Sequence, residues 1–318
     1  MEGSASHEAQ QAGLVHSAHG LRSLNRAQSQ AVRSATTHSV HLFLMALSSS
    51  KLFHNGKANF KTQRAAKTAA TKMVGHVSRM CSSCKVHLVH NLGDQLQLNS
   101  TRSLGIDVHL YPVQYNASAQ PYESPHNFRH RALFRLLPHI PMASHDCALS
   151  IDSDVTILRD LGSLCATVHR TGQTIVGTDT CNLHRHGWIY WMRALVKQPG
   201  SRVPAEAQAA LHKATFSLNA GILGTRAHEF RGLLSAVIAE MDTYDLAFSD
   251  MMAVWWLLHR DPSRLVAGWP LGPVNGPYYN ALCEAKCLRG EVLDNFYLAH
   301  KYSPERVRRC HTNGTSRP

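Results

Sequence analysis

Hydrophobic positions along the chain follow two patterns, the short apolar runs typical of strands and the three- to four-residue spacing typical of helices. The short runs predict five strands, at residues 40–47, 85–90, 106–113, 147–151 and 174–177. Helical spacing predicts four helices, at residues 61–80, 127–140, 228–241 and 250–259. Strands that alternate with helices indicate an α/β fold. Such a fold has a mostly parallel sheet flanked by helices and binds ligands at the carboxyl ends of its strands.

The pattern is less regular in the second half of the chain. Residues 216–224 form a short apolar segment that is interrupted by Asn219, Gly221 and Gly224. Residues 268–279 are rich in Gly and Pro and are predicted to form a loop. A last strand is predicted at residues 292–299.

Length and composition indicate one globular domain with a tail at each end. The chain has 318 residues, of which 44% are hydrophobic and 17% charged, and this balance excludes a disordered chain. We predict a single domain at residues 39–302, a flexible basic N-terminal tail at residues 1–38 and a C-terminal tail at residues 303–318. The longest apolar run, residues 40–47, is far shorter than the roughly 18–20 residues that cross a bilayer, so no transmembrane segment is expected.

The chain is strongly basic, and the positive charge is concentrated near its start. The formal net charge is +12, and residues 1–80 hold ten Lys and Arg against two Glu, which gives 10 − 2 = +8. Such an excess attracts anions, including phosphorylated metabolites, anionic lipids and nucleic acids. No known nucleic-acid-binding module is recognisable in the sequence, so a nucleic-acid partner is not expected.

The cysteines are even in number, which permits disulfides. They are Cys81, Cys84, Cys147, Cys165, Cys181, Cys283, Cys287 and Cys310. A zinc site would need a second pair of ligands besides the Cys-x-x-Cys at residues 81–84. The cysteines at residues 283 and 287 are only a weak candidate for that pair. Buried thiols or ordinary disulfides are therefore favoured over metal or redox chemistry.

The segment richest in chemistry follows the fourth predicted strand, which ends in Asp152-Ser153-Asp154. In an extended chain, residues two apart point to the same side, so Asp152 and Asp154 would present two carboxylates together. Hard oxygen ligands of this kind suit Mg²⁺ or Mn²⁺ bound to a diphosphate. The strand end therefore predicts a metal and diphosphate site at the carboxyl edge of the sheet, although a solvated acidic turn would have the same sequence.

Several motifs, in order along residues 40–302, resemble those of the GT-A nucleotide-sugar glycosyltransferases, most nearly the family 8 type. They are Phe134-Arg135-Leu136-Leu137-Pro138, Ile151-Asp152-Ser153-Asp154, Asp160-Leu161, Ser217-Leu218-Asn219-Ala220-Gly221, Asp250 at a helix start, and Tyr297-Leu298-Ala299-His300-Lys301. The resemblance implies a single-domain, Rossmann-like GT-A fold. It also implies transfer of a sugar from a nucleotide-diphosphate donor, UDP-linked, to a glycan, protein or small-molecule acceptor.

The resemblance also assigns roles to particular residues. Asp152, Asp154 and His300 would hold Mn²⁺ or Mg²⁺, which would stabilise the negative charge of the departing diphosphate. The residues expected to bind the donor are Arg135, Asp152, Ser153, Asp154, Gly221 and Lys301. At the reacting sugar, Asn219 would hydrogen-bond hydroxyl groups, and Asp250 would orient the sugar or accept a proton from the acceptor.

Two other functions use the same residues. Asp152-x-Asp154-x-Thr156 also matches the first motif of haloacid-dehalogenase-type phosphatases, in which the first Asp is the nucleophile. No later acidic pair that would complete the Mg²⁺ site of such a phosphatase is found. A non-catalytic scaffold protein with a degenerate site is the second alternative, because Met251 replaces the Gln that usually follows Asp250.

The cellular location stays open between two compartments. The resemblance implies the Golgi or secretory lumen, where sequons at Asn99, Asn116 and Asn313 would be usable. A soluble cytoplasmic location is the alternative if no anchor lies upstream of this chain.

Overall fold

The computed structural model describes residues 38–47, 63–92, 107–114, 125–153, 155–179, 188–214, 217–244, 246, 249–261 and 297–300. All of them belong to one compact unit, residues 38–318. None of the helices in these ranges is long and apolar enough to cross a membrane. The predicted tails lie outside the described residues, apart from His38, and so does the predicted loop at residues 268–279.

The described strands form a six-stranded sheet and a separate two-stranded sheet. They are β1 (Val40–Ala46), β2 (Cys84–His90), β3 (Val108–Pro112), β4 (Cys147–Asp152), β5 (Val155–Ile157), β6 (Ile175–Asp179), β7 (Ser217–Arg226) and β8 (Leu298–His300). The six-stranded sheet has the order β3-β2-β1-β4-β7-β6, and β5 pairs with β8. The central strands β1, β2 and β4 are almost wholly buried, as their continuous apolar runs predicted.

The large sheet is mixed, so the expectation of a mostly parallel sheet needs correction. Strand β1 pairs in parallel with both β2 and β4, and β2 pairs in parallel with β3. Strand β7 runs antiparallel to both of its neighbours, β4 and β6. Local hydrophobic pattern carries no information on strand direction, because a buried strand is apolar whichever way it runs.

Helices cover both faces of this sheet. They are α1 (Gln63–Met80), α2 (Pro125–Leu136), α3 (Gly162–Thr171), α4 (Trp188–Leu195), α5 (Ala205–His212), α6 (Ala227–Tyr244) and α7 (Ser249–Arg260). Apolar residues of α1 and α3 pack on one face of the sheet, and those of α2 and α4–α7 pack on the other. The expected α/β class is therefore confirmed, and Trp255 and Trp256 of α7 are buried in the core.

Two disulfides join the described cysteines. Cys81 is bonded to Cys84 in the turn between α1 and β2, and Cys147 at the start of β4 is bonded to Cys165 of α3. These four residues therefore satisfy the prediction of ordinary disulfides. The other four cysteines lie outside the described residues.

Strand β7 packs closely against β4 at Gly224. A Cβ atom at this position would lie 2.6 Å from the carbonyl oxygen of Ala148 and 2.7 Å from Leu149 Cδ1. Only glycine therefore fits without a shift of the neighbouring backbone, which explains the glycine within a buried strand.

Candidate functional site

Four elements meet around the buried side chain of Arg129 in α2. The Arg129 guanidinium donates hydrogen bonds to Asp152 Oδ1 at the end of β4, to the Ala220 carbonyl oxygen of β7 and to Asp250 Oδ2 at the start of α7. The distances to Ala220 and Asp250 are 2.6 and 2.8 Å. The Arg129 side chain is 3% exposed, so these hydrogen bonds replace nearly all of its hydration.

Asp250 is the most buried acid of this cluster. Burial alone would raise the pKa of its carboxyl group, but the positive charge of the Arg129 guanidinium, which donates a hydrogen bond to Asp250, lowers that pKa well below its usual range. Burial opposes the charge of Arg129, while Asp152 and Asp250 raise the pKa of its guanidinium. Both groups are therefore charged at neutral pH.

His130 is held beside this ion pair as a neutral imidazole. Its Nε2 lies 3.2 Å from Arg129 Nε and 3.6 Å from Asp250 Oδ2. Arg129 Nε only donates, so the shorter contact makes Nε2 of His130 the acceptor and leaves the proton on Nδ1. Burial lowers the pKa of His130, which agrees with the neutral ring.

Asn127 fixes the start of α7 against α2. Its side-chain amide donates to the Leu246 carbonyl oxygen at 3.1 Å and to Ser249 Oγ at 2.9 Å. Its side-chain oxygen accepts the backbone N–H of Asp250 at 3.2 Å. The position of Asp250 is thus set by its own backbone as well as by Arg129.

The cluster carries a net negative charge and is open to solvent on one side. Arg129 contributes one positive charge, while Asp152 and Asp250 contribute two negative charges, which gives −1 with His130 neutral. The Asp152 side chain is 22% exposed, whereas Arg129 and Asp250 are 3% and 1% exposed. Two buried polar atoms, His130 Nδ1 and Asp250 Oδ1, have no hydrogen-bond partner among the described residues.

Residues 297–300 lie beside the segment that follows Asp152. Strand β8 pairs antiparallel with β5, with His300 opposite Val155. The backbone N–H of Leu158 donates to the Tyr297 carbonyl oxygen at 2.8 Å, and Arg159 lies over the Tyr297 ring at 5.2 Å. The backbone of residue 300 therefore runs beside the strand that follows the Asp-x-Asp sequence.

Several predicted site residues have described positions. Asp152 and Asp250 are brought together by Arg129, and Ser153 is half-buried in the turn after β4. Gly221 is buried in β7, next to Ala220. Arg135 is exposed in the last turn of α2 and forms no ion pair among the described residues, so its role in binding phosphate stays a prediction.

Of the remaining predicted site residues, two are described only in their backbone and two are not described. The backbone of Asn219 pairs with Gly177, and that of His300 pairs with Val155, but their side chains are outside the described set. Asp154 and Lys301 lie wholly outside it. Their roles therefore stay predictions.

Asp160 of the Asp-Leu motif has a structural role. Its carboxylate accepts backbone hydrogen bonds from Gly162 at 2.8 Å and from Ser82 at 2.8 Å. It also accepts the hydroxyl of Ser83 at 3.0 Å. Asp160 thus accepts the first backbone N–H of α3 and ties the start of this helix to the disulfide-bonded turn at residues 81–84.

Sequence reasoning missed Arg129, although a signal was present. Arg129, Ala132 and Leu133 stand at i, i+3 and i+4 in α2, and all three are buried. A charged residue on the apolar face of a helix indicates a buried ionic partner. Arg135, six positions later, falls on a different face and is exposed.

Comparison with known proteins does not assign this chain to a family. No protein-family model matches it, and no curated protein matches it significantly.

Proposed function

We propose that this chain is a GT-A-type glycosyltransferase that transfers a sugar from a nucleotide-diphosphate donor, UDP-linked, in a reaction that depends on Mn²⁺ or Mg²⁺. The observation that carries the proposal is the partly exposed carboxylate of Asp152 at the carboxyl end of central strand β4, held in a net-negative cluster with Asp250 by Arg129. A group of this kind attracts a divalent cation and, through it, a diphosphate.

The order of the strands supports a ligand site at this position. From β1 the chain continues to β2 and β3 on one side, and then crosses to β4 on the other side. In open α/β sheets, ligands bind in the crevice at the carboxyl ends of the strands where this reversal occurs. Met45 of β1 pairs with Asp152 of β4, so Asp152 stands at that point of reversal.

The one described side chain of the proposed metal-ligand set suits a hard divalent cation. Asp152 has access to solvent, and its Oδ1 accepts a hydrogen bond from Arg129, so Oδ2 is the oxygen left for an ion. The β5–β8 pairing brings the backbone of residue 300 beside the same turn. Asp152, Asp154 and His300 would hold the ion. When bound, the ion would act as a Lewis acid on the leaving diphosphate.

The protein groups would bind and orient the substrate. Lys301 and Arg135 would neutralise phosphate oxygens, and Ser153 and Gly221 would line the donor site. Asn219 would hydrogen-bond sugar hydroxyls. Asp250 would orient the sugar or accept a proton. Its buried Oδ1 accepts no hydrogen bond from the described residues.

Release of UDP from a panel of UDP-sugars in the presence of Mn²⁺ tests the proposal. We expect release from at least one donor, its loss when the metal is chelated, and a fall of about 100-fold in Asp152→Asn, which corresponds to about 3 kcal/mol of lost stabilisation of the leaving group. Asp242→Asn is the matched control, because Asp242 is 54% exposed and pairs with Arg131 on the surface.

Two outcomes would contradict the proposal. Release of phosphate from phosphoesters without cleavage of any sugar nucleotide would favour the phosphatase alternative. Binding of UDP that ignores both Mn²⁺ and Asp152→Asn would favour the non-catalytic scaffold.

A further inference from the structure

A second cluster of metal-ligating side chains lies at the opposite, amino end of the central strands. It comprises His38, two residues before β1, and Cys165 and His169 of α3. Cys165 is bonded to Cys147, the first residue of β4. We propose that reduction of the Cys147–Cys165 disulfide creates a binding site for a thiophilic divalent cation such as Zn²⁺. Its ligands are the Cys165 thiolate, one ring nitrogen of His38 and one of His169.

The three side chains already lie close together. One ligand atom from each is within 4.8 Å of the other two. Tetrahedral zinc, with bonds of about 2.0–2.3 Å, requires ligand atoms separated by about 3.3–3.6 Å. Zinc binding would therefore shorten these separations by about 1 Å.

Backbone carbonyl groups orient both imidazoles. His38 Nδ1 lies 2.7 Å from the His145 carbonyl oxygen, and His169 Nε2 lies 3.1 Å from the carbonyl oxygen of the next residue, Asp146. Each contact engages one ring nitrogen and leaves the other, Nε2 of His38 and Nδ1 of His169, for a ligand. Metal-binding histidines in proteins characteristically donate their second N–H in this way.

The burial of the three residues suits a site that opens to solvent. Cys165 is 1% exposed, whereas both histidine rings are half-buried, stacked with their centroids 4.9 Å apart. An ion entering from solvent would therefore meet the imidazoles first and the sulfur last.

The redox state of Cys165 decides whether the site exists. In the disulfide, its sulfur carries no charge, so the site would hold no negative group to compensate a dication close to Arg226 and His228. A dithiol reductant transfers two electrons and two protons to the disulfide, which gives two thiols while the dithiol becomes a disulfide. Zinc then displaces one proton from Cys165, and the thiolate supplies the missing negative charge.

Two single substitutions separate the metal site from the loss of the disulfide. Cys147→Ser leaves Cys165 as a free thiol, and Cys165→Ser leaves Cys147 free, so both variants lack the same cross-link. With Co²⁺ as a spectroscopic probe and no reductant, we expect the Cys147→Ser protein to show a sulfur-to-metal charge-transfer band and to bind at least tenfold more tightly than the Cys165→Ser protein. His169→Gln in the Cys147→Ser protein should weaken binding by the same factor.

Equal Co²⁺ binding by the two cysteine variants, or absence of the charge-transfer band from Cys147→Ser, would overturn the proposal. If either variant fails to fold, the test moves to a Cys81→Ser/Cys84→Ser protein, which keeps only the Cys147–Cys165 pair among the described cysteines. Treatment of that protein with a dithiol should then create the cobalt band, and its absence after complete reduction would equally reject the site.

Discussion

Replacement of Arg129 by Met tests whether the buried cation holds the site together. The substitution keeps an apolar stem of similar length but removes the charge that faces Asp250, whose side chain is only 1% exposed. Removal of one partner of a buried ion pair generally costs about 3–5 kcal/mol. Asp152, at 22% exposure, would regain water, so most of the cost arises at Asp250.

Protonation of Asp250 limits the part of this cost that arises from an unpaired buried charge, and it makes that part depend on pH. A carboxyl group with an ordinary pKa of 3.8 is protonated at pH 7 at a cost of about 4 kcal/mol, and at pH 5 at a cost of about 2 kcal/mol. In the wild type, the lowered pKa keeps Asp250 ionised throughout this range. In Arg129→Met, we expect burial without the guanidinium to raise the folded-state pKa of Asp250 instead. Protonation of Asp250 then becomes easier as the pH falls from 7 to 5, so the stability of the variant relative to wild type improves over this range.

Urea denaturation at pH 7 and pH 5 measures both effects. The control is Arg131→Met, two residues along the same helix, because the Arg131–Asp242 pair is 28% and 54% exposed and contributes less than about 1 kcal/mol. We expect Arg129→Met to lose about 3–5 kcal/mol at pH 7, to lose clearly less at pH 5, and to recover in part when Asp250→Asn is added. A loss no larger than that of Arg131→Met, or a loss independent of pH, would refute the reasoning.

Two further predictions concern positions outside the site. Burial, reinforced by the neighbouring His41, lowers the pKa of His87 from 6.5 to about 3. Below pH 6.5 the unfolded chain therefore binds a proton at His87 that the folded protein does not bind. This difference lowers the stability of the folded protein by about 2 kcal/mol at pH 5. His87→Phe should therefore flatten the pH dependence of urea midpoints between pH 7 and pH 5, and an unchanged slope would count against this assignment. Gly224→Ala should lower the free energy of unfolding by about 1–3 kcal/mol, because the new Cβ would press against Ala148. Gly232→Ala, in open space on α6, should raise it by roughly 0.5–1 kcal/mol, and thermal denaturation that ranks the two variants the other way would contradict the packing argument.

The central strands and the amphipathic helices could be predicted because burial imposes a pattern on the sequence itself. Strand β1 is apolar on both sides because helices cover both faces of the sheet. Helices α6 and α7 begin and end within three residues of their predicted bounds. Helix α3 was missed although its limits are marked. Asp160 accepts the backbone N–H of Gly162 at its start, and Gly172 is left-handed at its end.

The composition of the candidate site was less predictable, because it depends on pairing between distant parts of the chain. Asp152 could be singled out from the strand that precedes it, since that signal is local. The contact between Arg129 and Asp250 joins residues 121 positions apart, and the carbonyl group of Ala220 is placed by the antiparallel pairing of β7 with β4. The direction of β7 leaves no mark in the local sequence. The place of Arg129 on the apolar face of α2 indicates a buried ionic partner but does not identify it as Asp250.

The buried ions around Arg129 are better explained by orientation than by stability. A buried ion pair generally contributes little to stability relative to well-packed apolar residues, because dehydration of the charges offsets their attraction. Here, however, each contact restricts the next, since Asn127 holds the backbone of Asp250, Asp250 holds Arg129, and Arg129 holds Oδ1 of Asp152. The series ends at Asp152, the most exposed of the three charged groups, at the carboxyl end of the central sheet. Its arrangement fixes the direction of that one carboxylate before any ligand arrives, as a preorganised binding site requires.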